Sequence, residues 1–344
     1  MLCLTSSERN DGRIMIDAIR NNADAATWLD EELAKFSANS IYGKIAPAVI
    51  WTSQGGVDGS PAVPITAENL VRKFEAQGLP LLRYHDPGLP SGNVLTAKVF
   101  KGTNGEVFVA ALLGFYDAKT MSSFSDLGVN THPVVSLPQK LPRLTGSLES
   151  DYYVDPREIA DEWSEEIIKK AEFSVFKTEV SHNALDAAIK FIQITMPYLV
   201  LVWNPYVKAI ADEAGKDTYR AANKWVRHIL EKMKEQKNPV LSVTSFQDGC
   251  EVQFLFRGND VAKTYQAHDA FPLAAVQAAE LISSLIDSNA APARLVYEFE
   301  YEATRWFPSY AILQDGRLVS DRNILVALEQ LPKSLSLGVV KEGT

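Results

Sequence analysis

The chain has 344 residues, 46% of them hydrophobic and 22% charged, which excludes an intrinsically disordered polypeptide. Its formal net charge is −9, and no block of Lys and Arg is long enough to form a phosphate-binding stripe, so nucleic acid is not the expected partner. At this length two domains are the natural organisation.

Residues 1–45 read as helical, because Trp28, Leu29, Leu33 and Phe36 recur at spacings of three and four and so share a face. Residues 46–51 form a short apolar strand, and a Gly/Ser/Pro loop follows. Thr66 has the side chain of an N-cap, Leu70, Val71 and Phe74 face inward, and Gly78 stops the helix. Residues 79–84 make a strand that ends at His85. Residues 94–100 and 106–116 make two more, joined across Asn104-Gly105, a hairpin signal. Residues 118–150 show little periodicity and mark the boundary zone.

Asp155-Pro156-Arg157-Glu158 has the order of a helix start: an Asp cap, Pro at the first position and Glu where a capping box places it. Ile159, Trp163, Ile167 and Ala171 supply the apolar stripe. Residues 173–180 form a strand. A helix begins near His182, and Gly215 divides it from a second one that carries Tyr219, Ala222, Val226, Ile229 and Met233. The apolar run at 191–207 is too short to span a bilayer and is interrupted by Pro197, Asn204 and Pro205, so it belongs to a buried helix or strand, and no membrane partner is expected. Residues 240–246 and 251–257 alternate around Asp248-Gly249 as a hairpin. A helix at 273–285, strands at 294–302, 310–313 and 317–320, and a last helix after Ser320 complete the chain.

This pattern predicts an α+β protein of two domains. Residues 1–150 form a strand-rich module with N-terminal helices, and residues 151–344 form a module of helices on one face of an antiparallel sheet. The only cysteines, Cys3 and Cys250, have no ligand or disulfide-framework spacing, and the first residues lack the apolar run of a signal peptide, so a cytoplasmic location is expected. No Gly-x-Gly-x-x-Gly follows a strand and no Walker lysine loop is present, and His182, His228 and His268 share no ligand spacing. No cofactor and no metal is therefore expected.

The segment Gly78-Leu-Pro-Leu-Leu-Arg-Tyr-His-Asp-Pro-Gly-Leu-Pro-Ser-Gly92 carries the candidate chemistry. An apolar run delivers His85 and Asp86 onto a Pro/Gly turn, and an imidazole at a strand end titrates near neutral pH. Nucleophilic catalysis needs an alcohol within hydrogen-bond reach. Ser122, Ser123, Ser125 and Ser136 lie downstream, and Ser136, on the strand-like Pro133-Val-Val-Ser-Leu137, is the best placed. Glu149, Asp151 and His132 are all candidates to orient the imidazole. The bland reading is a turn in which Asp86 accepts from nearby backbone amides.

Leu-Leu-Arg-Tyr-His85-Asp86-Pro, with Ser-Gly92-Asn-Val-Leu after it, resembles the His-Asp segment of phage prohead maturation proteases, whose fold is similar to that of herpesvirus assemblin. The resemblance covers roughly residues 46–140. It implies that His85 is the base and Ser136 the nucleophile of a serine peptidase. Leu137 and Pro138 follow Ser136 where the family has small or polar residues, and Pro138 removes a donor that an oxyanion hole would use. Ala214-Gly-Lys-Asp-Thr-Tyr219, and Tyr301-Glu-Ala-Thr-Arg-Trp306 with its continuation to Gly316, resemble uncharacterised bacterial proteins. Together these likenesses imply a bacterial or phage-linked protein that acts by binding or regulating a protein partner or as a homo-oligomer, with phage defence as a setting. The serine peptidase is the alternative.

Other patterns have chemical and bland readings. Glu298, Glu300 and Glu302 share one strand face, which suits a metal or acid/base pair, or a solvated side neutralised by Lys and Arg opposite. Arg305-Trp306 and Trp163 offer rings for stacking a planar ligand, or packing for a core. His268-Asp269 repeats the His-Asp pair before a helix, where Asp269 is expected to act as a cap.

Overall fold

In the computed structural model of the protein, the described residues are 18–53, 65–83, 86–102, 105–131, 148–156, 158–179, 189–197 and 213–321. They form two sheets, and the chain divides into two compact units between Met121 and Ser122. The α+β class expected from the sequence is the class observed.

The first unit is built on a four-stranded antiparallel sheet in the order β1-β4-β3-β2. Its strands are β1 (Tyr42–Thr52), β2 (Pro80–Leu82), β3 (Pro90–Lys101) and β4 (Val107–Tyr116). Period-two alternation in β4 assigns its side chains to two cores. Val109, Ala111 and Leu113 face helix α2 (Ala67–Gln77), with Leu70, Leu79 and Leu81. Phe108 and Ala110 face helix α1 (Ala23–Phe36), with Trp28, Val49 and Phe100. A helix thus covers each side of the sheet.

The expected caps of α2 are present. Thr66 Oγ1 accepts from the Asn69 amide, and Gly78, at φ 67°, ends the helix with its N–H on the Phe74 carbonyl. The helix expected over residues 1–45 ends at Phe36, and β1 begins at Tyr42. Pro47 sits within β1, which is an edge among the described strands, a position where a missing N–H costs no ladder bond.

Gly92 and Gly114 mark a close approach of β3 and β4. A Cβ on Gly92 would lie 2.0 Å from the Gly114 carbonyl oxygen, and one on Gly114 would lie 2.7 Å from the Tyr42 ring. Backbone cannot yield as a flexible side chain can. Gly92→Ala is expected to destabilise the protein by about 1–3 kcal/mol through forced strand separation. Thermal unfolding checks this, and an unchanged midpoint would refute the close approach.

The second unit holds an eight-stranded sheet in the order β12-β11-β10-β9-β8-β7-β5-β6. The strands are β5 (Glu149–Val154), β6 (Ser174–Glu179), β7 (Lys190–Thr195), β8 (Pro239–Gln247), β9 (Cys250–Arg257), β10 (Pro292–Glu300), β11 (Arg305–Leu313) and β12 (Leu318–Val319). Helices α3 (Asp161–Lys169), α4 (Glu213–Lys232) and α5 (Val261–Asp287) connect them. Buried residues of all three helices, among them Trp163, Trp225, Ile229, Phe271 and Leu281, share one core with Tyr152, Ile194, Val243, Phe254 and Tyr297. The helices therefore lie on one face, as expected.

The sheet is mixed rather than antiparallel. β5/β6, β7/β8 and β9/β10 are parallel neighbours, and α3, α4 and α5 respectively lie in the described parts of the connections between them. A helix that returns the chain to the starting end of the sheet makes the next strand parallel. The hairpins β8/β9, β10/β11 and β11/β12 are antiparallel, and so is the non-consecutive pair β5/β7. At Asp248-Gly249 the backbone has φ 48° and 77°, the left-handed pair that a two-residue turn requires.

Several elements differ from the sequence reading. Asp155-Pro156 opens a turn, with the Glu158 and Ile159 amides on the Asp155 carbonyl, and α3 starts at Asp161 without a side-chain cap bond. Glu158 instead accepts from the Phe191 amide. Residues 190–195 form a strand where a helix was expected from His182, and Gly215 lies inside α4 rather than between helices. Helix α5 starts at Val261, capped by Asp260, and runs through Pro272. Its buried stripe continues on both sides of the proline, through Thr264, Ala267, His268 and Phe271 and then Ala274, Ala275, Ala278, Leu281 and Leu285. Asp269 is thus mid-helix and caps nothing. By length and composition α5 is apolar enough to cross a membrane, yet that stripe makes it the central core helix of this sheet.

Candidate functional site

The chain between β2 and β3 turns tightly. The Arg83 amide donates to the Leu89 carbonyl, the Asp86 amide to the Arg83 carbonyl, and the Leu89 amide to the Asp86 carbonyl. Asp86 is buried, and its Oδ1 accepts from the Gly88 amide at 2.8 Å, an Asx turn. Ser91 Oγ donates to the Leu81 carbonyl and locks the two strand ends together. His85, Ser136 and His132 lie outside the described residues. The described part of the motif is thus the Asx turn.

The remaining serines have structural partners. Ser123 and Asp126 cap each other reciprocally, Ser123 Oγ accepting from the Asp126 amide and Asp126 Oδ2 from the Ser123 amide, both at 2.9 Å. Ser125 Oγ shares a hydrogen bond with Ser123 Oγ, and Ser122 donates its amide to the Leu318 carbonyl. Glu149 and Asp151 fall on β5 of the eight-stranded sheet.

Of the three glutamates expected on one strand face, Glu298 and Glu300 lie on β10 and Glu302 lies in the turn after it, and Glu298 is neutralised from the neighbouring strand. Arg257 donates through Nε and a terminal nitrogen to Glu298 Oε1, at 2.8 and 2.6 Å, and Arg294 makes the same fork to Glu251 Oε2. Burial pushes the Glu251 pKa up, and the Arg294 guanidinium with the Gln253 amide outweighs this, so the carboxyl ends below its ordinary value. Arg305 lies 3.9 Å from Glu300. Among the described residues no group of three or more His, Cys, Asp or Glu side chains could hold a metal ion.

Trp306 is a core residue and not a stacking platform. Phe254, Phe256, Phe271 and Phe299 surround its ring, and its Nε1 donates to the Ala267 carbonyl. Burial pushes the Cys250 thiol up to about 12, which makes it unreactive near neutral pH. A cavity of about 20 Å³ between α4 and α5, lined by Tyr219, Asn223, Val226, His268, Phe271 and Pro272, has room for one water molecule and for no organic substrate.

Comparison with protein-family models, with curated proteins and with solved structures finds no match for this chain.

The feature that the sequence reading missed is apolar exposure on strands. Phe176 on β6 is 52% exposed and Phe246 on β8 is 59% exposed. Both point to the sheet face opposite the helices: Val175 of β6 and Val243 of β8 pack into the helix-side core, and strand alternation turns Phe176 and Phe246 away. On that outer face Phe176 stands beside Asp151, followed by Thr195 and Thr244, and Phe246 is one alternation beyond Thr244. The signal was present in Ser174-Val-Phe-Lys-Thr178, where Phe176 shares a strand face with Ser174 and Thr178 rather than with Val175.

Proposed function

We propose that this chain acts by binding a protein surface, in a regulatory rather than a catalytic role. The observation that carries this reading is Phe176 and Phe246, two large apolar side chains each left more than half exposed on the sheet face opposite the helices, a face on which Ser242 and Thr244 of β8 are buried. Apolar side chains presented from a rigid sheet are what a protein partner buries. The satisfied Arg–Glu forks and the closed Trp306 cluster support it further, since each removes a candidate reactive or ligand-stacking group. A cytoplasmic location accompanies the reading, supported by Cys250 as a free buried thiol.

The serine peptidase remains the rival, with His85 as base and Ser136 as nucleophile. A fluorophosphonate probe separates the two. The expected result is no labelling of the native protein. Labelling that disappears in both Ser136→Ala and His85→Ala would replace the binding role with the peptidase.

A further inference from the structure

We draw no further inference here: the strongest candidate, the outer face of the eight-stranded sheet that carries Phe176 of β6 and Phe246 of β8, carries none, because Ser242 and Thr244 of β8 are buried on it and nothing among the described residues shows what covers it.

Discussion

Trp306→Ala is expected to lower the unfolding free energy by about 3–5 kcal/mol, the range for emptying a large aromatic site in a packed core. Trp306 is 2% exposed, and its ring lies 5.0 Å from that of Phe256 and 5.5 Å from those of Phe254 and Phe299. Those partners come from β9 and β10, and Phe271 adds a ring from α5, so the indole joins three strands to the helix that covers them. Its Nε1–H donates to the Ala267 carbonyl at 2.8 Å. Truncation removes the ring contacts and this hydrogen bond together, and the surrounding rings are too rigid to fill the space. Trp306→Phe keeps most of the apolar volume and is expected to cost less. Urea denaturation of both variants measures the effect. A loss below about 1 kcal/mol for the alanine variant, the scale of an ordinary surface substitution, would mean that the cluster does not hold the sheet to α5.

The second large effect is a pH dependence centred on His268. Its side chain is 5% exposed, and burial lowers its pKa to about 4, with the Arg227 guanidinium of α4 adding to the shift and Asp269 opposing it. The facing groups form a fixed set. Arg227 stacks over the Tyr265 ring at 4.4 Å and reaches Asp269 at 3.4 Å, and Tyr219 and Asn223 of α4 line the neighbouring cavity. A free histidine titrates near 6.5, so between about pH 6.5 and 4 the unfolded chain binds a proton that the folded chain refuses. Stability from this group is complete above pH 6.5 and is lost as the pH falls toward 4. The shift corresponds to about 3 kcal/mol. Comparing unfolding free energies at pH 7 and pH 4, the wild type is expected to lose about that much more than His268→Gln, since both proteins share the carboxylate titrations. Equal losses would show that the folded protein already accommodates a charged ring.

Local elements were readable from residues whose effect stays within a few positions. Thr66 and Gly78 bound α2 because capping involves only the backbone of the adjacent turn. Asp248-Gly249 makes its hairpin because the left-handed turn depends on those two residues alone. Trp163 and Ile167 are buried on α3 as their spacing implied, while Ile159 is buried in the turn before the helix and Ala171 is half-buried after it. Where a local signal competed with a distant partner, the distant partner decided the outcome. Asp155 and Glu158 have the letters of a capping box, but Glu158 serves the Phe191 amide, 33 positions away. The helix expected at 273–285 starts at Val261, because packing on both sides of Pro272 carries α5 through it.

The candidate site divides in the same way. The Asx-turn reading of Asp86 follows from its Pro-Gly context, and the Gly88 amide bears it out. That arginines neutralise the glutamate strand was legible as a type of contact, because an antiparallel or parallel neighbour must place something opposite. Which arginines do so depends on the register of β9 against β10.

From its order of residues alone, this chain determines an α+β protein with strand hairpins, capped helices and an apolar helix stripe, because propensity, capping and alternation act over one or two turns. Tertiary structure alone decided that the second sheet is mixed and that Trp306 is sealed among phenylalanines. Each of these depends on which strand lies beside which, and strand order is set by helix crossovers and a shared core that join residues tens of positions apart.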